Sequence, residues 1–219
     1  MASNNIYEAV KNQRGTESEI IDASRNDLPE FFKLMGYKVG VEIGVDRGVF
    51  TEILAKDGLK IYGIDPWRTY TDYDIGFRAT SKDGFQDQLD AFHEEAKSRV
   101  APYDVTLIRK TSMEAVKDFE DDSLDFVYID GHHGFKYVTE DIYEWSRKVR
   151  KGGCISGHDF VRPENKDSVG PYVCHVKDVV SAYTNAMKIK DWYVIGTFHI
   201  PTDKTIKRDR WRSWFWIKQ

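Results

Sequence analysis

Residues able to bind ligands or move protons stand at the ends of five short apolar runs in this sequence. Carboxylates and imidazoles are the side chains with which proteins hold metal ions, bind hydroxyl groups and exchange protons near neutral pH. A sheet that only has to fold needs no acids or histidines at so many consecutive ends. The pattern therefore indicates a binding or catalytic site, built in chain order from Glu42, Asp65, Ser112, Asp130, His133, His158 and Asp159.

The first run leads into a turn that contains Gly44 and Gly48. Glycine allows a tight turn and lets a ligand approach the backbone closely. The spacing differs from the GxGxxG of dinucleotide-binding proteins, whose additional glycine admits a pyrophosphate. Asp65, at the end of the next run, either accepts hydrogen bonds from both hydroxyls of a ribose or caps a turn before Pro66. Together these features favour a ribose-bearing cofactor without a pyrophosphate, and S-adenosylmethionine meets that description.

Alternating β-rich and helical stretches have to position these residues. The clearest helical pattern places four apolar residues on one face: Val138, Ile142, Trp145 and Val149. Alternation of strands and helices predicts a mostly parallel sheet with helices on both faces, whose ligand binds beyond the carboxyl ends of the strands. The last two strands have no convincing helix between them and predict an antiparallel pair. The apolar runs predict strands at 38–44, 60–64, 105–108, 124–129, 154–156, 192–197 and 212–217.

The length and composition are those of one α/β domain with a full core. The chain has 219 residues, of which 41% are hydrophobic and 31% are charged. We divide it into an N-terminal helical extension, residues 1–37, and a Rossmann-like domain, residues 38–219. No apolar stretch approaches the roughly 20 residues of a membrane span, and the first residues lack the pattern of a secretory signal. These features predict a cytoplasmic protein without a membrane partner.

Net charge and cysteine content argue against two other classes of protein. A net charge of −4 is not that of a dedicated nucleic-acid binder. Cys154 and Cys174 are too few for a disulfide framework, so reduced thiols are expected. One local exception is a basic tail interleaved with tryptophans, which a terminal β-hairpin with a charged turn also explains. The tail residues are Lys204, Lys207, Arg208, Arg210, Arg212, Trp214 and Trp216.

Four blocks of sequence, in this order, resemble the signature blocks of class I S-adenosylmethionine-dependent methyltransferases. They are VEIGVDRG at 41–48, IDPW at 64–67, FVYIDGHH at 126–133 and GGCISGHD at 152–159. More narrowly, they resemble the group that contains macrocin O-methyltransferase and the cephalosporin-hydroxylase-like proteins. The resemblance covers residues 39 to 160 well and the tail only in its strand pattern.

The resemblance implies both a topology and a set of cofactor-binding residues. The topology is a seven-stranded sheet of order 3-2-1-4-5-7-6 whose last strand is antiparallel. By this resemblance, Glu42 and Gly44 would hold the methionine end of the cofactor and Asp65 the ribose. Ser112 and Met113 would contact the edge of the adenine. The implied cofactor-binding residues are Glu42, Gly44, Gly48, Asp65, Ser112 and Met113, with Asp130 beside them.

The resemblance also implies a metal site and a base. In metal-dependent relatives, residues after strands four and five bind Mg²⁺, and they correspond here to Asp130, His158 and Asp159. A base often lies three positions after the first carboxylate, which is His133 here, and the adjacent His132 is its rival. Imidazole suits Mn²⁺, Fe²⁺ or Zn²⁺ better than the hard Mg²⁺ ion. Three alternatives stay open: a different metal, a His158 that contacts substrate or acts behind the ligands, or a metal-free site.

These features predict a methyltransferase that modifies a hydroxyl group of a small molecule, with or without a divalent metal, and in which Asp130 and His133 are catalytic. A nicotinamide-dependent oxidoreductase is one alternative, against which the missing third glycine counts. A non-catalytic Rossmann-like binding protein is another, since fold does not determine function. The methyl acceptor and a homo-oligomeric state are left open. An aromatic segment after the second strand either covers the acceptor or packs on the sheet: Trp67, Tyr70, Tyr73 and Phe77.

Overall fold

Eight β-strands form one sheet in the part of the chain that the structure, a computed structural model, describes: residues 4–69, 85–161, 174–197, 203–207, 209 and 211–219. The strands are Ser18–Ile20 (β1), Val39–Ile43 (β2), Lys60–Ile64 (β3), Val105–Ile108 (β4), Leu124–Ile129 (β5), Val149–Gly157 (β6), Trp192–Ile195 (β7) and Ser213–Ile217 (β8). The α-helices are Asn5–Asn12 (α1), Leu28–Leu34 (α2), Val49–Lys56 (α3), Phe85–Val100 (α4), Ser112–Ala115 (α5), Phe135–Lys148 (α6) and Val176–Ala186 (α7). None of these helices is long and apolar enough to cross a membrane.

The seven predicted strands correspond to β2 through β8. Along the sheet the order is β4-β3-β2-β5-β6-β8-β7-β1. Strand β8 is antiparallel to β6 and β7, and the other described pairings are parallel. Strands β2 through β8 thus reproduce the order 3-2-1-4-5-7-6 with an antiparallel last strand, and the α/β fold class is confirmed.

The predicted number of strands is wrong by one, because the head of the chain adds β1. This strand lies within residues 1–37, which we predicted to be helical, and it pairs in parallel with β7. Three residues are too few to show an alternating pattern, and the outer edge of β7 offers unpaired backbone groups that an extended segment can satisfy. The same head contains α1 and α2. The division of the chain at residue 37 stays a prediction.

Helices cover both faces of the sheet, because the central strands carry apolar side chains on both sides. Along β5, Phe126 and Tyr128 pack in the cluster formed with α1, α2 and α3, whereas Val127 and Ile129 pack in the cluster formed with α6 and α7. Both faces are therefore buried, as parallel strands between helices require. On the inner face of α6, Asp141 is buried among Val138, Ile142 and Trp145. The fourth residue predicted on this face, Val149, instead begins β6, because the helix ends at Lys148.

Candidate active site

A cavity of about 670 Å³ lies at the carboxyl ends of β2, β3, β4 and β5. The residues that follow these strands form its wall, because the carboxyl ends of neighbouring parallel strands meet at one edge of the sheet. Arg25, from the head of the chain, and residues of α3, α4 and α6 also line the cavity. The predicted site residues on the wall are Glu42, Gly44, Asp65, Ser112, Met113, Asp130 and His133.

Three predicted site residues do not line the cavity. Gly48 begins α3 with a φ of +75°, and a Cβ there would lie 3.2 Å from Ala96 of α4, so its glycine serves the helix start and helix packing. His158 and Asp159 follow β6 and are buried. Both contact acidic or histidine residues of the wall, so they lie one layer behind it.

Gly44 is required by the close approach of two strand ends. Its φ is +89°, and a Cβ at this position would lie 2.1 Å from the carbonyl oxygen of Asp130. Backbone atoms cannot move away as a flexible side chain can, so any side chain here would separate β2 from β5. The turn after β2 and the carboxyl end of β5 are thus held at a fixed distance.

Asp65 serves the local structure and lines the cavity as well. Its Oδ2 accepts hydrogen bonds from the backbone N–H groups of Val45 at 3.1 Å and Asp46 at 3.0 Å, and its Oδ1 accepts one from Trp67 at 2.8 Å. The carboxylate therefore holds the turn after β2 against the end of β3. Burial nevertheless raises the pKa of Asp65, because the three hydrogen bonds offset only part of the lost hydration.

Glu42 is a buried acid whose ionised form is poorly stabilised. Its side chain is 1% exposed, and Oε2 has no hydrogen-bond partner among the described residues. Burial raises the pKa of Glu42 to about 8. A carboxyl group kept neutral beside a cavity is suited to meet a cationic ligand, which would restore the charged form.

The end of β5 and the end of β6 bring two carboxylates and a histidine together. The ligand atoms of Asp130, His133 and Asp159 all lie within 4.8 Å of one another. His133 Nε2 is 3.2 Å from Asp159 Oδ2 and 3.6 Å from Asp130 Oδ1. Burial by itself lowers the pKa of His133, but the two carboxylates outweigh burial and raise it.

His158 lies between three carboxylates. Its Nδ1 is 3.4 Å from Asp159 Oδ2 and 3.8 Å from Asp130 Oδ2, and its Nε2 is 3.2 Å from Asp209 Oδ1. Burial alone lowers the pKa of His158, yet its acidic neighbours raise it to about 10. The ring therefore carries its proton near neutral pH, and an imidazolium has no lone pair for a metal ion.

Arg25 and Asp209 belong to the site, although the sequence patterns do not indicate them. The Arg25 guanidinium lies 3.0 Å from Asp130 Oδ2, and the Arg25 backbone N–H donates to Asp209 Oδ2 at 3.1 Å. Ser213 of β8 also donates to Asp209. Charges from the head and tail of the chain thus converge on the carboxylates after β5 and β6, which local periodicity cannot reveal.

A family model described as a methyltransferase domain matches residues 41–160, more than half of the chain. The chain belongs to this methyltransferase family. The matched segment runs from β2 to the end of β6 and contains Gly44 and Asp65. It also contains Asp130, His133 and Asp159, which we call the acid–histidine cluster. The prediction of a class I methyltransferase is thereby confirmed, and the nicotinamide alternative is not favoured.

Solved structures share the fold of this methyltransferase. An O-methyltransferase from Bacillus cereus, solved in complex with SAH, has a TM-score of 0.57 at 13% identity, over 87% of this chain and 77% of that one. The O-methyltransferase TomG from Streptomyces achromogenes, solved in complex with SAM, also has 0.57, at 16% identity, over 89% and 79%. An uncharacterized protein of Sinorhizobium fredii, y4gI, is 38% identical over 66 residues, which are 30% of this chain and 7% of that protein.

The acid–histidine cluster of this methyltransferase fits one divalent ion in its spacing. Ligands bound to an ion at about 2.0–2.6 Å lie within roughly 5 Å of one another, as the atoms of Asp130, His133 and Asp159 do. This set contains His133 in place of the predicted His158, whose raised pKa opposes ligation. Arg25 and His158 are cations that contact the same carboxylates, so a metal ion would compete with both.

His132, the rival base, lies on the cavity wall in a different environment. Its Nδ1 accepts a hydrogen bond from the backbone N–H of Gly134 at 2.8 Å, and its ring lies 4.1 Å from that of Tyr137, centroid to centroid. Burial and the neighbouring His133 lower the pKa of His132 to about 4. His132 is therefore a neutral ring, and a weak base compared with His133.

Trp67 packs against the fold. It is buried and lies against His93 of α4, with a centroid separation of 4.4 Å, and its Nε1 donates to the Asp46 carbonyl at 2.7 Å. Trp67 also forms part of the cavity wall. The other aromatic residues predicted either to cover the acceptor or to pack, Tyr70, Tyr73 and Phe77, lie outside the described residues.

Proposed function

We propose that this protein is an S-adenosylmethionine-dependent O-methyltransferase that acts on a hydroxyl group of a small molecule, with His133 as the base. The observation that carries the proposal is the arrangement of His133 and Asp159. The His133 ring lines the cavity, while Asp159 lies behind it at 3.2 Å. A buried carboxylate that orients an imidazole toward a substrate cavity is the arrangement by which proteins make histidine an effective base.

The residues on the wall can hold the cofactor along its length. Glu42 and Gly44 would bind the methionine end, where the neutral carboxyl of Glu42 can ionise beside a bound cation. Asp65 would bind the ribose, since Oδ1 accepts only one hydrogen bond among the described residues and carries two lone pairs. Ser112 and Met113 would meet the adenine. This order follows the wall from the end of β2 to the end of β4.

In the proposed reaction, the chain has to align the acceptor oxygen with the methyl carbon and remove the hydroxyl proton. S-adenosylmethionine supplies the methyl group, and the electrons of the broken carbon–sulfur bond remain on sulfur. His133 accepts the hydroxyl proton at Nδ1, because Nε2 is directed at Asp159 and Asp130. Alignment of the two reacting atoms at about 3 Å accounts for several kcal/mol of the barrier.

A metal-assisted variant of the same reaction is the second candidate. When bound, a divalent ion would lower the pKa of the acceptor hydroxyl. Asp130 and Asp159 would hold it, with His133 as the third ligand in place of its role as base. The two candidates differ in what His133 does, so they can be separated by experiment.

The experiment that tests the function is a screen of hydroxyl-bearing metabolites for release of S-adenosylhomocysteine. It is run with S-adenosylmethionine, with and without Mg²⁺, Mn²⁺ or Zn²⁺, and again after chelation. Metabolite-dependent release of S-adenosylhomocysteine supports the proposal. Binding of NAD in place of S-adenosylhomocysteine would favour an oxidoreductase, and binding of neither would favour a non-catalytic protein.

The replacement Asp65→Ala is expected to weaken S-adenosylmethionine binding by about 1.5–3 kcal/mol, the scale for hydrogen bonds to a charged acceptor. It is also expected to lower stability, because three backbone N–H groups lose their acceptor. Titration calorimetry on variant protein shown to be folded measures the first effect, and urea unfolding measures the second. Asp57→Ala, at the end of α3, serves as the control. Unchanged affinity in folded Asp65→Ala protein would remove Asp65 from the ribose site.

Chelation separates the two metal alternatives. If a divalent ion takes part, ethylenediaminetetraacetate should reduce turnover, and Mn²⁺ titrated by calorimetry should bind with a stoichiometry of about one. Asp159→Asn should then weaken Mn²⁺ binding, because it removes one ligand charge. Full turnover after chelation, with no heat on Mn²⁺ addition, would mean that Arg25 and His158 supply the positive charge of the site without a metal.

A further inference from the structure

Asp141 is a buried carboxyl group that the proposed chemistry does not use. It lies on the inner face of α6, where the helical pattern otherwise places apolar residues, and it is 4% exposed. Among the described residues, no Lys, Arg or His is one of the groups that shift its pKa. An unpaired buried acid is costly, so its presence on an apolar helix face calls for a ligand-related reason.

The hydrogen bonds around Asp141 have a fixed direction. Trp145 Nε1 donates to Ser112 Oγ at 2.7 Å, and an indole nitrogen can only donate. The Ser112 hydroxyl in turn donates to Asp141 Oδ1, so Ser112 links the indole to the carboxyl group. One oxygen of the carboxyl group is thereby committed to Ser112, whereas Oδ2 is not.

The second oxygen lies at the end of β5, beside a residue of the cavity wall. Ser112, Gly131 and Asp141 all line this wall. A Cβ built on Gly131, at the end of β5, would lie 3.9 Å from Asp141 Oδ2, so this oxygen points toward the strand end. With the ribose at Asp65 and the methionine end at Glu42, this part of the wall is left for the adenine.

We propose that Asp141 Oδ2 accepts a hydrogen bond from the exocyclic amino group of the cofactor's adenine, so that Asp141 determines which base the site takes. Ser112 orients the carboxyl group for this purpose, and Trp145 orients Ser112. Burial raises the pKa of Asp141 to about 7, as expected for a carboxyl whose donor is supplied by a ligand. The inference rests on the proposed function, since it needs an adenine-bearing cofactor in the cavity.

The test exchanges donor and acceptor on both partners. S-adenosylhomocysteine presents an amino group at position 6 of the purine, and S-inosylhomocysteine presents a carbonyl oxygen there. Asp141→Asn keeps an oxygen for Ser112 and places an amide donor where Oδ2 stood. The wild-type protein should prefer the adenosyl compound at least tenfold by calorimetry. The variant should lose at least tenfold in affinity for the adenosyl compound and retain or gain affinity for the inosyl compound.

If the role of Asp141 is purely structural, Asp141→Asn should lower the affinities for the adenosyl and the inosyl compound by the same factor. That result, or unchanged affinities for both compounds, overturns the inference. Glu144→Gln, one turn later on α6 and off the cavity wall, is the matched control. If Asp141→Asn does not fold, the test is calorimetry of wild-type protein with the N6,N6-dimethyl analogue of S-adenosylhomocysteine. This analogue lacks the N–H donor and should bind at least tenfold more weakly than S-adenosylhomocysteine. Wild-type protein that binds no adenosyl compound would instead overturn the proposed function itself.

Discussion

Replacing His133 by asparagine is expected to lower kcat by about 10² to 10⁴ and to leave affinity for S-adenosylmethionine nearly unchanged. Asparagine keeps much of the polar shape of the ring but cannot accept the hydroxyl proton. The cofactor contacts proposed for Glu42, Gly44 and Asp65 do not involve His133, which explains the unchanged affinity. Steady-state kinetics with an identified acceptor, together with calorimetry for the cofactor, measure the two effects.

The matched control is His132→Asn. His132 is the adjacent residue, it also lines the cavity, and burial with its neighbour's charge lowers its pKa to about 4. We expect it to retain most of kcat. If His132→Asn lowers kcat strongly and His133→Asn lowers it only slightly, the base is His132 and not His133. Full activity in both variants would leave alignment alone, or a metal, as the source of catalysis.

The variant His133→Asn also shows whether His133 acts as a base or as a metal ligand. If His133 is a ligand, His133→Asn should weaken Mn²⁺ binding in parallel with kcat, because one of three ligands is lost. If His133 is the base, kcat should fall with Mn²⁺ binding absent or unaltered. The two measurements on one protein therefore decide between the candidates.

Replacing Glu42 by glutamine is expected to make the folded protein more stable at pH 8 and to weaken its affinity for S-adenosylmethionine. The pKa of Glu42 is raised from 4.5 to about 8, so between these values the folded state binds more protons than the unfolded state. The contribution of Glu42 to the free energy of unfolding is then fully present below pH 4.5 and is lost as the pH rises toward 8. The loss by pH 7 is about 3 kcal/mol, from the size of the shift.

Glutamine cannot ionise, so the variant should lose this part of the pH dependence. Urea unfolding at pH 5.5, 7 and 8 measures it, and Glu120→Gln, on the exposed surface before β5, is the control that should keep the wild-type slope. Glu42→Gln should bind S-adenosylmethionine more weakly, because glutamine cannot supply a negative charge to the cationic methionine end of the cofactor. Calorimetry in buffers of different ionisation enthalpy should show proton release on cofactor binding for wild type only. Equal slopes in wild type and Glu42→Gln would contradict the raised pKa.

The strands, and the edge of the sheet to which they bring the predicted residues, follow from sequence patterns, whereas the order of the strands came from the resemblance to class I methyltransferases. Strands β2 through β8 have short apolar runs whose periodicity is local, and parallel connection of those runs brings Asp65, Asp130 and His133 to one edge. β1 escaped this reasoning because its three residues are extended only by pairing with β7. Asp141 can be recognised in the sequence, because it is an acid on the apolar face of the clearest helical pattern.

The sequence by itself determined which residue types stand at the strand ends, because that depends on neighbours along the chain. Only the tertiary structure decided how they pair. Arg25 and Asp209 come from the head and tail of the chain and reach Asp130 and His158 through packing. Three neighbouring carboxylates keep His158 protonated against the effect of burial, and His133 is left with Asp130 and Asp159. Charge and proton affinity depend on distances between atoms far apart in sequence, and no local pattern encodes those distances.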